Sequence, residues 1–141
     1  MLKLSNMKKV LFIGFILTLP LFIFAQKESA TTTIDQRLYE VFEVDFLERL
    51  QSKSPSQLQY YNFFLDNIYE IKELAEGKTT SYPEIVIKDL DHINILKLIN
   101  DLKLKRDYNS PTIYLIANTN QLLVLIPEKE FVKKFNEATG R

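Results

Sequence analysis

The sequence predicts an α+β fold of element order α-α-β-α-β-β-α, with a small, mostly antiparallel three-stranded sheet covered chiefly on one face by helices. Three observations carry this. Apolar residues recur at helical spacing in several separate segments, and two apolar runs flank the turn-prone Asn118-Thr119-Asn120-Gln121. A third β-branched run, Ile85-Val86-Ile87, stands alone between helical segments.

The first residues read as an address. Lys3, Lys8 and Lys9 precede Val10 to Ala25, which carries no charge before Gln26, Lys27 and Glu28 restore polarity. This is the pattern of a secretory signal peptide, with cleavage expected after Ala25. Its apolar part is shorter than the roughly 20 residues that span a bilayer as a helix. Ile23 is larger than the residue usually found three positions before a cut, so an uncleaved membrane anchor is the alternative. Gln26 to Thr33 is small, polar and uncommitted, a flexible lead-in to a single domain expected over residues 34–141.

Ile34, Leu38, Val41, Phe42 and Leu50 then fall at helical spacing, with Thr33 and Gln36 placed as a capping box. Phe42, Val44 and Phe46 also alternate with acids as in a strand, but helix is the preferred reading. The best-punctuated segment follows. Ser54 is placed to cap, Pro55 fits the first helical position, and Gln57 completes a second capping box. Helical periodicity continues to about Glu76, where Gly77 offers the left-handed residue that ends helices. Leu58, Tyr61, Phe64, Leu65, Ile68 and Ala75 share one face of this segment, and Tyr60, Phe63, Ile71 and Leu74 form an adjoining seam. So broad an apolar surface suits a central helix.

Pro83 disfavours helix at Tyr82, so Ile85 to Ile87 reads as a strand. Asp89 or Asp91 is expected to cap the next helix, whose apolar face is Ile95, Leu98, Ile99 and Leu102 and whose end falls near Leu104. Pro111 opens a hairpin of Thr112 to Ala117 and Leu122 to Ile126. Both its strands are apolar on both faces, unlike a half-buried antiparallel pair. Pro127 starts a last helix with Glu128 and Glu130 in its first turn, docked through Phe131, Val132, Phe135 and Ala138.

Composition narrows the chemistry. The chain has 141 residues, 18 basic and 18 acidic side chains and no Cys. Loss of the leader removes three lysines and leaves a mildly acidic protein. Without Cys there is no thiol nucleophile and no Cys-ligated zinc. The glycines Gly77 and Gly140 build no phosphate loop. No G-x-S-x-G motif is present. His92, the one histidine, stands beside Asp89 and Asp91, but neighbouring helical residues point about 100° apart and the aspartates have a role as caps. Asn62 and Asp66, one helical turn apart, read as a hydrogen-bonded pair on a polar stripe. Lys103, Lys105 and Arg106 read as a surface patch, and export argues against nucleic acid as partner.

No catalytic residue, metal ligand or cofactor is assigned. The two-sided apolar hairpin and the broad aromatic helix remain to be explained: either the sheet is sandwiched within the monomer, or one face meets another copy, a partner or an apolar ligand. They point to an exported, non-catalytic interaction or assembly module of the bacterial cell envelope, periplasmic or secreted. Its interaction-face candidates are Tyr60, Phe63, Phe64, Leu123 and Leu125. Its partner is a protein or a second copy, with membrane contact only through an uncleaved leader. The alternatives are a carrier of a small apolar or amphipathic ligand, with Phe64 in its cavity, and a hydrolase using His92.

Overall fold

The computed structural model describes residues 31–141; the leader expectation lies outside them. Residues from Thr33 onward form one compact unit. It is an α+β arrangement of four α-helices on a four-stranded mixed sheet: α1 (Val44–Lys53), α2 (Pro55–Asn67), β1 (Tyr69–Glu73), β2 (Glu84–Ile85), α3 (Ile95–Leu102), β3 (Thr112–Ile116), β4 (Gln121–Leu125) and α4 (Glu128–Thr139). The strand order is β1-β4-β3-β2, antiparallel except for the β2–β3 pair.

Two corrections fall in the first half. The single helix expected from Ile34 is instead a 3-10 turn, Gln36–Glu40, followed by α1. Asp35, rather than Thr33, caps the turn, accepting from the Arg37 N–H at 2.9 Å. Glu43 is extended, so the Val41-Phe42-Glu43 segment separates the two pieces, and its β-branched and aromatic members are weak helix formers.

The long helix expected from Ser54 to Glu76 stops at Asn67. Pro55 does occupy the first turn, but Ser54 makes no side-chain cap bond. Beyond Ile68 the chain becomes β1, an additional strand pairing with β4 in the register Tyr69↔Leu125 and Ile71↔Leu123. The sequence Tyr69-Glu70-Ile71-Lys72-Glu73 alternates apolar and polar, and pairing along β4 satisfies its backbone better than further helix would. Gly77 still takes a left-handed φ of 73°, but in the turn after β1, where the Lys78 N–H reaches the Ala75 carbonyl.

The second half follows the local punctuation closely. Asn118 adopts φ 58° in the β3–β4 connection, and the Thr119 hydroxyl bridges the Ile116 carbonyl and the Gln121 N–H. Pro127 precedes α4, where Lys134–Glu130 and Lys133–Glu137 form i,i+4 pairs. Phe131 and Phe135 dock this helix, whereas Val132 and Ala138 face outward, contrary to expectation. Neither Asp89 nor Asp91 caps α3. Asn94 does, accepting from the Lys97 N–H while its amide donates to the Arg37 carbonyl at 2.8 Å. The helix ends at Leu102, with Lys103 left-handed and the Leu104 N–H returning to the Ile99 carbonyl.

Register separates the two faces of the sheet. Leu123, Leu125, Tyr114 and Ile116 belong to a continuous core with Leu38, Leu47, Leu58, Leu65, Ile95 and Phe131, so the 3-10 turn and all four helices share that core with one sheet face. Leu122, Val124, Ile113 and Leu115 form the opposite face. Leu122 and Val124 are buried but stand outside the continuous core, and Ile113 and Leu115 are half-buried.

Candidate interaction surface

Of the five residues expected to form an interaction face, three are buried and two are half-buried. Leu123 and Leu125 sit at 0% and 1% exposure, because their register points them under the helices. Phe64 is buried as well. Tyr60 and Phe63 are half-buried, their rings packed on α4: Tyr60 lies 5.3 Å from Phe131 and 5.2 Å from Phe135, and Phe63 5.6 and 5.5 Å from the same rings. Edge-to-face geometry of this kind stabilises a core beyond the area it buries. Burial also pushes the Tyr60 phenol above its ordinary range. The aromatic helix thus holds α4, which the broad apolar surface could not reveal because periodicity does not name the covering element.

Arg106 joins this cluster. Its guanidinium lies 5.0 Å over the Phe64 ring, with Nε and Nη2 enclosed and lacking a hydrogen-bond acceptor among the described residues. It therefore leaves the surface patch that its neighbours Lys103 and Lys105 suggested.

Asn62 and Asp66 do not bond to each other either. Both reach back to the N-terminal turn: Asn62 donates to the Thr33 carbonyl and accepts from the Asp35 N–H, while Asp66 pairs with Arg37 at 2.8 Å.

An open groove of about 410 Å³ runs between the segment that follows β2 and α3. One wall is Val86, Ile87 and Lys88, continuing from β2; the other is Lys97, Leu98, Asp101 and Leu102 on α3, with Glu40 and His92 toward the periphery. Val86 is 63% exposed and Leu102 41%, so both walls present apolar surface to water. The sequence places Val86 within a short strand and Leu102 on the apolar face of its helix. The ladder ends at Ile85 and the helix at Leu102, and this leaves both side chains beyond the packed interior.

Charge in the groove is largely paired. Lys97 meets Glu40 at 3.7 Å, and His92 Nδ1 lies 3.1 Å from Asp89 Oδ2. The histidine beside it is the main reason the Asp89 carboxyl is held below its ordinary range, and Asp89 also accepts from the Asp91 N–H at 3.0 Å. Asp101 and Lys88 have no ion-pair partner among the described residues.

A histidine oriented by a carboxylate is a fragment of acid–base machinery, but no lining residue of the groove carries a hydroxyl or thiol for it to activate. Both side chains are well exposed, where such a pair contributes little to stability. Among the described residues no three His, Asp or Glu side chains gather as metal ligands do, and no helix is long and apolar enough to cross a membrane. Comparison with protein-family models, with curated proteins and with solved structures finds no match for this chain.

Proposed function

We propose that this chain is an exported, non-catalytic interaction module of the bacterial cell envelope, and that it docks a protein partner in the groove between the segment that follows β2 and α3. The observation that carries the reading is the exposure of Val86 and Leu102 on opposing walls of one concave surface. Apolar side chains grouped in a concavity and rimmed by charge are the ordinary makeup of a recognition surface. Export rests on the leader pattern of residues 1–25 and the compartment on that leader alone. The expected function is kept, and its surface moves from the hairpin and the aromatic helix to the β2 end of the sheet.

The carrier and hydrolase readings have less support. The rings expected to grip an apolar ligand are occupied by one another, and His92 has an orienting carboxylate without a nucleophile.

Native mass spectrometry of the protein isolated from the envelope of its own host tests the proposal, comparing parent with the double substitution Val86→Asp, Leu102→Asp. The expected result is a complex in the parent and a folded, uncomplexed chain in the variant. An uncomplexed parent, or a variant with the same complex, overturns it.

A further inference from the structure

The register of β2 identifies what kind of partner the groove fits. The Leu115 N–H donates to the Pro83 carbonyl at 2.9 Å and the Ala117 N–H to the Ile85 carbonyl at 2.8 Å. Backbone groups alternate sides along a strand, so the peptide groups of Glu84 and Val86 point away from β3. Among the described residues β2 is the last strand in the sheet order, and the segment that directly follows it, Val86 to Lys88, lines the groove. An edge of unpaired N–H and C=O groups is a template for another strand.

We infer that the groove takes an extended segment of a protein partner as a fifth strand on β2, its side chains reaching Val86, Leu98 and Leu102. This deepens the interaction-module reading and rests on it. Main-chain bonds to Glu84 and Val86 supply affinity, and alternate side chains of the segment supply specificity. Charge complementarity describes the segment further. Asp101 on the helical wall calls for a basic side chain and Lys88 on the strand wall for an acidic one, with an apolar residue between them over Leu102. A helical partner would leave the β2 backbone groups unpaired beneath it, which is costly once water is excluded.

The test uses the whole exported protein and a displayed library of random peptides about as long as an ordinary strand and its flanks, roughly twelve residues. Selected peptides are synthesised with single backbone N-methyl groups along their length. Strand addition predicts loss of affinity of at least about fivefold at alternate positions and little change between them. It also predicts that Val86→Pro, which removes an outward N–H while leaving the bonds from Pro83 and Ile85 to β3 in place, weakens binding about tenfold. Circular dichroism establishes that this variant is folded; should it unfold, Leu102→Glu serves as the second test, with the same loss expected.

A flat N-methyl profile, selected peptides indifferent to both substitutions, or a library that yields no binder overturns strand addition. The interaction-module reading falls separately, if the native complex survives Val86→Asp with Leu102→Asp. A complex that those substitutions dissolve, together with a flat N-methyl profile, keeps the module and rejects the extended partner.

Discussion

The side-chain amide of Asn62 grips the backbone on both sides of Ile34: its Nδ2 donates to the Thr33 carbonyl at 2.6 Å, and its Oδ1 accepts from the Asp35 N–H at 3.2 Å. A residue on α2 thereby stands in for a neighbouring strand and fixes the start of the fold, with Ile34 and Leu38 drawn into the core. Each bond of this type contributes about 0.5–1.5 kcal/mol, so Asn62→Ala is expected to cost about 1–2 kcal/mol in urea denaturation. Hydrogen exchange should rise first at Asp35 and Arg37. Unchanged exchange there would show that the turn is held by Leu38 alone.

Acid should loosen the same region. Asp35 has its carboxyl held below the ordinary value of 3.8 chiefly by the side-chain hydrogen bond from Arg37, with burial opposing. The folded state therefore binds its proton more weakly than the unfolded chain does. The stabilisation is fully present above about pH 4 and is lost as pH falls through the lowered folded value. Asp35→Asn keeps a capping side chain but removes the titration, so its denaturation midpoint should fall less steeply than the parent's as pH is lowered from about 4. Parallel curves would contradict this.

Leu123→Asp and Val86→Asp separate the core from the proposed surface. Leu123 is fully enclosed between the sheet and the helices, so an unpaired carboxylate there should cost more than about 4 kcal/mol and unfold the protein. Val86 is mostly in water, and its substitution should shift stability by less than about 0.5 kcal/mol. Thermal denaturation reads both, and equal effects would place Val86 in the core.

The enclosed guanidinium of Arg106 sets two effects against each other. Stacking over Phe64 contributes about 0.5–2 kcal/mol, whereas charged donors left without an acceptor cost at least as much. Met keeps the length and the contact with the ring and removes the unsatisfied charge. Arg106→Met is therefore expected to equal or exceed the parent by about 1 kcal/mol in urea denaturation, while Arg106→Ala, which also loses packing, should fall below it. A clear loss in the Met variant would mean that the guanidinium has an acceptor in solution.

How much of this was legible depended on whether local residues or distant ones decided the conformation. The β3–β4 hairpin and α4 were readable because Pro111, Asn118 and Pro127 constrain the backbone where they stand. The strand Tyr69–Glu73 was not. It follows a helix of the same apolar periodicity, and what ends that helix is pairing with β4, some fifty positions later. The Asn94 cap was hidden behind Asp89 and Asp91, and the choice among the three depended on the Arg37 carbonyl, 57 residues away. The candidate surface was misplaced for a related reason. A hairpin apolar on both faces invites a partner, yet its register put Leu123 and Leu125 beneath the helices. The groove combines the residues that follow a short strand with one side of α3, a juxtaposition that no periodicity in the chain encodes.

Photo-crosslinking in the native host tests the docking surface most directly, with a photoreactive phenylalanine analogue placed in turn at Val86, at Leu102 and at Val132, an exposed apolar residue on α4 that does not line the groove. One discrete adduct, of the same partner, is expected from positions 86 and 102 and none from 132. Adducts from all three positions alike, or from 132 alone, would contradict it.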